Sequence, residues 1–155
     1  MGYTHYIKPK RNLTIVEAKN VINDILEIES YIKSNKIKCV TAGSYEGEPI
    51  KLDVSVYAKV SNKKYTPSEL FLNGIGENSH EALCIMAGKI DSSALFCKTA
   101  RKPYDTAVCL SLISLNYFVS HCNISSDGNI KDWQGAIDLW YIIFPNRKDF
   151  EFKLK

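Results

Sequence analysis

From Val108 to Val119 the chain places apolar side chains at nearly every turn of a helix. Val108, Leu110, Leu112, Ile113, Leu115, Tyr117, Phe118 and Val119 leave no broad polar face. A helix of this kind has to be covered by other elements rather than lie on a surface. The run is too short, and too rich in Ser and Asn, to span a bilayer. The chain must therefore wrap one central helix. Its 155 residues, 45% hydrophobic and 24% charged, suffice for that as a single domain, 1–155. The helix is predicted over about 103–120, with Pro103 at its first position.

The covering elements are legible on both sides. Thr14 and Glu17 form a capping-box pattern, and Ile15, Ala18, Ile22, Ile25, Ile28 and Ile32 recur at helical spacing, which predicts a helix over 15–34. Near the other end Asp132 reads as a cap, Trp133, Ile137, Trp140 and Phe144 as one stripe, and Pro145 as the stop. Between them lie strand-like runs at 3–7, 50–60, 69–73, 80–86, 94–98 and 124–126, with a further short apolar run at 37–41. In 50–60, Leu52, Val54, Val56, Ala58 and Val60 alternate with polar residues, the pattern of a strand with one solvated face. Ser61-Asn62-Lys63-Lys64 reads as a hairpin turn. Arg147–Lys155 is a charged tail or an extra strand. These elements predict an α+β fold: a mainly antiparallel sheet of about five or six strands with three helices packed on it.

Bulk chemistry excludes several classes. The net charge is only +3, which ranks nucleic-acid binding last. The five cysteines (39, 84, 97, 109 and 122) contain no CxxC pair. Neither a disulfide framework nor a zinc ribbon is indicated, and a reducing cytoplasm is expected. The N-terminal segment lacks a signal-peptide apolar core, and no membrane partner is expected.

One segment concentrates chemistry. Phe96-Cys97-Lys98-Thr99-Ala100-Arg101-Lys102-Pro103-Tyr104-Asp105 places three cations at the start of the central helix, where the macrodipole disfavours them. An arriving anion, phosphate above all, would neutralise the cluster. Thr99 and Tyr104 add neutral donors, and Asp105 is also readable as a local cap of an ordinary loop. A cysteine-phosphatase loop would need Arg six residues after the Cys, and Pro103 stands there.

The histidine triplets His5-Tyr6-Ile7, His80-Glu81-Ala82 and His121-Cys122-Asn123 match no phosphoesterase H-x-T or H-x-S motif, and no spacing completes a metal site. Gly74-Ile75-Gly76 beside Asn73 lacks the dinucleotide and Walker patterns and reads first as a hairpin loop. Ser125-Ser126-Asp127-Gly128 reads first as an Asx turn. There Asp127 could otherwise hold ribose hydroxyls or act as a base. Tyr3-Thr4-His5-Tyr6, as a strand, puts Tyr3 and His5 on one face.

Together, the Met1-Gly2-Tyr3-Thr4-His5-Tyr6 start, Phe71-Leu72-Asn73-Gly74 with His80-Glu81, Phe96–Asp105, and Ser125-Ser126-Asp127-Gly128 with Trp133 resemble a family of small phage and prophage proteins. The likeness spans nearly the whole chain, and the Phe96–Asp105 decapeptide is its most specific part. After His80-Glu81 this chain has Ala82-Leu83-Cys84 where the usual pattern has an aromatic residue. The resemblance implies a phage setting and no chemistry of its own. Small phage proteins include sponges that sequester nucleotide signals of bacterial immunity, an analogy of class.

The resulting expectation is a cytoplasmic anti-defence protein that binds a phosphorylated, nucleotide-like small molecule and sequesters it. Lys98, Thr99, Arg101 and Lys102 would hold phosphate, with Tyr104 and Asp105 beside them. Tyr3, His5 and Tyr6 would stack or hydrogen-bond, and Asn73, His80, Glu81, Ser126 and Asp127 would complete the pocket. A homo-oligomer would help to enclose the ligand. No cofactor, metal or catalytic residue is assigned. One alternative is a phosphoesterase-like enzyme with His5 or His80 as acid/base and Asp127 or Glu81 as partner. Another is an inhibitor of a host defence protein, which would need an exposed apolar patch.

Overall fold

The computed structural model of the chain describes residues 2–88 and 92–155, the side chains of 92 and 93 excepted. Helix α2, Asp105–Phe118, is the centre, and every residue from Asp105 to Leu115 is buried. Helices α1 (Ile15–Ser34) and α3 (Gln134–Ile143) pack against it. The strands are β1 (Thr4–Pro9), β2 (Leu52–Ser61), β3 (Lys64–Gly74), β4 (Leu83–Met86), β5 (Phe96–Lys98) and β6 (Cys122–Ser126). All are antiparallel and fall into two three-stranded sheets, β5-β1-β6 and β2-β3-β4. The fold is α+β, with three α-helices and six strands among the described residues.

Helix α1 follows its local signals residue by residue. The Thr14 hydroxyl accepts from the Glu17 N–H, and the Glu17 carboxylate accepts from the Thr14 N–H. At the other end the Ile37 N–H donates to the Ile32 carbonyl and the Lys36 N–H to Lys33, with Lys36 left-handed at φ 49°. That is a Schellman closure built on lysine where glycine is usual.

Two helix starts differ from expectation. Helix α2 begins at Asp105, not at Pro103. Pro103 instead occupies the second position of a turn closed by the Asp105 N–H on the Lys102 carbonyl, a position its fixed φ suits. Ahead of α3, Asn129 rather than Asp132 is the cap. Its side chain accepts from Lys131 N–H, while the Asp132 carboxylate accepts from Asn129 N–H. This box starts a 3₁₀ turn, Ile130–Trp133, that leads into α3.

The 61–64 hairpin turn forms, with Asn62 and Lys63 at φ 50° and 61°, as a two-residue type I′ turn requires. The single solvated face expected of 50–60 forms only over the first half, where Leu52 and Val54 are half-buried and Asp53 and Ser55 exposed. Past a register shift at Tyr57/Ala58, opposite Pro67, the hairpin projects beyond the core and both faces meet water. Val60 is 61% exposed and Tyr65 77%. The 37–41 run is not a strand either, and only Lys38 bridges, to Pro49. The N–H groups of Val40 and Thr41 go instead to the Thr106 hydroxyl on α2. The C-terminal segment forms no strand but lies against the core. Phe152 stacks on Trp133 with centroids 5.1 Å apart, and the Lys155 N–H donates to the Ile124 carbonyl. No described helix is long and apolar enough to cross a membrane.

Candidate functional site

The first turn of α2 carries polar side chains, Asp105 and Thr106, into the core. Asp105 is 1% exposed, and burial by itself would raise its pKa. The hydrogen bond and charge of His5, then hydrogen bonds from Thr99 and Thr41, outweigh that and hold the carboxyl below its ordinary range. His5, fully buried on β1, donates from Nε2 to Asp105 Oδ1 at 2.8 Å. The Thr99 hydroxyl donates to the same oxygen. The other imidazole nitrogen, Nδ1, lies 2.9 Å from Ser126 Oγ on β6. In the neutral imidazole with Nε2 protonated, Nδ1 accepts the Ser126 proton. Ser126 Oγ also accepts from the Gly128 N–H at 3.1 Å, so the 125–128 turn closes through a serine and not through Asp127.

Aromatic rings enclose this chain. Tyr3 and Trp133 meet His5 edge-on, at centroid distances of 5.0 and 4.9 Å. Burial pushes the Tyr3 phenol up to about 12, against the pull of its hydrogen bond with Ser126. Over the Tyr3 ring lies the Arg101 guanidinium, 3.9 Å from the centroid, with Nη1 donating to the Ala42 carbonyl. Ala100 and Arg101 are both left-handed, at φ 50° and 55°, in a tight turn closed by the Lys102 N–H on the Thr99 carbonyl. Such backbone costs on the order of 1–2 kcal/mol for each non-glycine residue. The turn is held because the N–H groups of Thr99 and Ala100 both donate to the Tyr3 carbonyl. Gly43 leaves room for Arg101, since a Cβ there would sit 2.7 Å from its Cδ.

The structure therefore gathers Tyr3, His5, Thr99, Arg101, Asp105 and Ser126 into one site. The other expected residues lie around it with separate tasks. The Tyr104 hydroxyl, buried, donates to the Glu81 carbonyl at 2.7 Å, and Glu81 Oε2 accepts from the Lys98 N–H at 2.8 Å. The Lys98 side chain runs along Gly2. Lys102 turns away, donating to the Glu77 carbonyl at 2.8 Å and lying 5.0 Å from the centre of the Tyr45 ring. The Tyr6 hydroxyl donates to Asp127 on the outer side of the sheet, and Asp127 also accepts from the Thr4 N–H. Asn73 braces the β3–β4 loop through His80 N–H and carbonyl, and the His80 side chain is exposed. A cavity of about 330 Å³ touches Glu81 and Phe96, with Phe71, Ala82 and Cys84 as its other walls.

Several participants carry no sequence signal of their own. Thr41, Thr106 and Cys109 join the network from other parts of the chain, and Trp133, read as part of a helical stripe, packs on His5 as well. The one available clue was the pair Asp105-Thr106 ahead of an apolar helix, polar residues that a covered helix has to satisfy internally. Cys109 Sγ lies 3.7 Å from both His5 Nε2 and Asp105 Oδ2, so His5, Asp105 and Cys109 form a three-donor group of the kind that can ligate a metal. An ion there would have to displace the proton between His5 and Asp105. It would also have to deprotonate a thiol that burial and the Asp105 charge push well up. The donor set fits a hydrogen-bonded cluster better than a metal centre. Cys97, also buried, has its thiol pushed up by burial, which leaves it a poor nucleophile.

No protein-family model, no curated protein and no solved structure matches this chain.

Proposed function

We propose that the protein binds a phosphorylated, nucleotide-like small molecule at the rim of the His5 network, with Arg101 as the phosphate ligand. The observation that carries this reading is the strained turn at Ala100–Arg101. Left-handed backbone at two adjacent non-glycine residues persists where the surroundings over-determine it, and such strain clusters at ligand clamps. Here it places Arg101 over the Tyr3 ring and commits Nη1, leaving Nε and Nη2 without a hydrogen-bond partner among the described residues. Those two donors form the edge with which a guanidinium grips a phosphate through two bonds. The biological setting consistent with the family resemblance is a phage or prophage protein in the bacterial cytoplasm that sequesters a host signalling nucleotide.

The test is a thermal-shift panel of cyclic and linear nucleotides. A true ligand at a hundredfold excess over its Kd raises the unfolding midpoint by on the order of 5–10 °C. Arg101→Ala is expected to remove that shift. A shift that survives Arg101→Ala places the phosphate elsewhere, and no shift with any nucleotide rejects the reading.

A second reading has its own observation: Ser126, His5 and Asp105 form a continuous hydrogen-bonded chain from a half-buried hydroxyl to a buried carboxylate. In an enzyme acting on the same ligand, His5 would take the Ser126 proton while Asp105 steadies the imidazolium. Chromatography of ligand released by heating separates the two. Intact ligand supports sequestration. Altered ligand, lost in Ser126→Ala, supports turnover. The reading as an inhibitor of a host protein has the exposed Val56, Tyr57, Val60 and Tyr65 of the β2–β3 arm in its favour.

A further inference from the structure

One roomy recess of the molecule shares no residue with the His5 network. It is a cleft of about 620 Å³ between the end of α1, the 36–38 segment, the start of β2 and the β3–β4 loop, within the size range of small-molecule sites. Its floor is aliphatic, formed by Ile32, Ile37, Ile50 and Leu52. The Ile32–Ile37 part belongs to the Schellman closure of α1, where an apolar pair at these two positions is usual. Around the floor stand Lys33, Lys36, Lys38 and Lys51, all exposed, with Glu29 as the only acidic residue of the lining among the described residues.

The charge is concentrated here. The chain carries 20 basic and 17 acidic residues, a surplus of three. Four lysines against one glutamate in the cleft make the same surplus of three, so the rest of the molecule is balanced. None of the four lysines forms an ion pair with a described carboxylate. The helix dipole accounts for Lys33 and Lys36, which sit at the C-terminal end of α1 where cations are favoured. It does not account for Lys38 and Lys51, which arrive from the following chain and add to the like-charge repulsion.

The chemistry of the walls narrows the ligand. No aromatic ring and no arginine lines the cleft. It lacks the stacking surface that holds a nucleobase and the planar fork that grips phosphate by two bonds. Ammonium groups are compact point charges that suit a small anionic head, and a concave aliphatic floor takes a saturated chain out of water. We propose that this cleft binds a soluble amphiphile, an aliphatic chain ending in a phosphate or carboxylate. The occupant is a free molecule and not a bilayer, because a recess encloses one chain whereas a membrane surface is met by a projecting apolar face. This site does not depend on the reading of Arg101.

Isothermal titration with dodecyl phosphate below its micelle concentration tests the proposal. Inorganic phosphate, dodecanol, dodecanoate and phosphatidylglycerol vesicles are the comparison arms. Saturable one-to-one binding of dodecyl phosphate or dodecanoate is expected, at least about tenfold tighter than inorganic phosphate or dodecanol. Salt is expected to weaken it. The double variant Lys38→Glu/Lys51→Glu, at the two lysines the helix dipole does not account for, should weaken it by at least about tenfold with an unchanged unfolding midpoint, whereas Arg101→Ala should leave it intact. In the unaltered protein the ligand should shift the methyl signals of Ile37 and Ile50 in carbon-proton correlation spectra. Absence of saturable binding to either amphiphile, affinity indifferent to the charge reversal and to salt, or binding to vesicles alone would each overturn the assignment.

Discussion

The His5 network and the lysine cleft both collect polar chemistry, and they treat it in opposite ways. Around Asp105 the polar atoms of His5, Thr99 and Ser126 each find a partner inside the protein. In the cleft, four ammonium groups stand in water with no ion pair among the described residues, Lys33 alone feeling a carboxylate, Glu29, one helical turn away. Burial explains the difference. An unpaired polar group in the core costs about 1–3 kcal/mol, more if charged, whereas a solvated lysine costs almost nothing. The buried polar residues are thus largely spent on holding β1, β6, the 99–102 turn and α2 together. The exposed charges carry little structural load, most clearly Lys38 and Lys51, and are free for a ligand. Arg101 stands between the two cases, half committed to the network and half open.

Cutting the network should have the largest effect. Asp105→Ala leaves His5 and Thr99 facing an empty, dry position. It is expected to cost about 3–5 kcal/mol in urea unfolding, and a loss below about 1 kcal/mol would show that the network is dispensable. Gly128→Ala comes next. A Cβ there would run into the Tyr3 hydroxyl and lie 2.6 Å from Asp132 Oδ2. The loss should be about 1–3 kcal/mol, with any Arg101-dependent nucleotide shift lost as well because the Tyr3 platform moves.

Acid should weaken the fold by the same logic. Asp105 is held below its ordinary pKa, and Glu17 is lowered to about 2, chiefly by the hydrogen bond from Arg11. Carboxyls that are more acidic folded than unfolded stabilise the protein above their unfolded pKa, about 4, and lose that contribution as pH falls through the folded value. The urea midpoint should therefore hold from pH 7 to about 5 and decline between about 4 and 2. Glu17→Gln should flatten part of that slope, and an undiminished slope in this variant would remove Glu17 from the account.

The cleft should behave differently. Lys36→Gly removes a left-handed side chain from the end of α1 and is expected to raise stability by up to about 1 kcal/mol, while weakening dodecyl phosphate binding. A variant that gains stability and loses affinity would be the sharpest sign that this lysine serves no structural purpose. The smallest change is expected from Lys51→Ala, within about 0.5 kcal/mol of the parent.

How much of this was legible depended on the range of the interactions. Helix α1 could be read to the residue because Thr14, Glu17 and the isoleucine spacing act within one or two turns. The 61–64 turn was legible for the same reason. The start of α2 was misplaced by two residues because Pro103 satisfies a turn as well as a first helical position, and the choice depends on where Tyr104 and Asp105 are pulled. The 50–60 strand was found, but its covered face held only as far as Val54, since alternation states which residues share a face and not whether anything covers it. Of the candidate site, the basic decapeptide, His5 and Ser126 were singled out. Their division of labour was not, because His5 and Asp105 are a hundred residues apart.

Local periodicity and capping chemistry were enough to determine an α+β chain wrapped around an apolar helix, with charge gathered near that helix's start. Packing alone decided which of the chain's charges would be consumed. It drew Asp105 inward against His5, turned Lys102 toward Glu77, and left Lys33, Lys36, Lys38 and Lys51 exposed around an aliphatic floor whose parts come from separate segments. The physical reason is desolvation. A charge takes a protein partner when folding strips its water away, and burial at any one position is set by the whole tertiary arrangement.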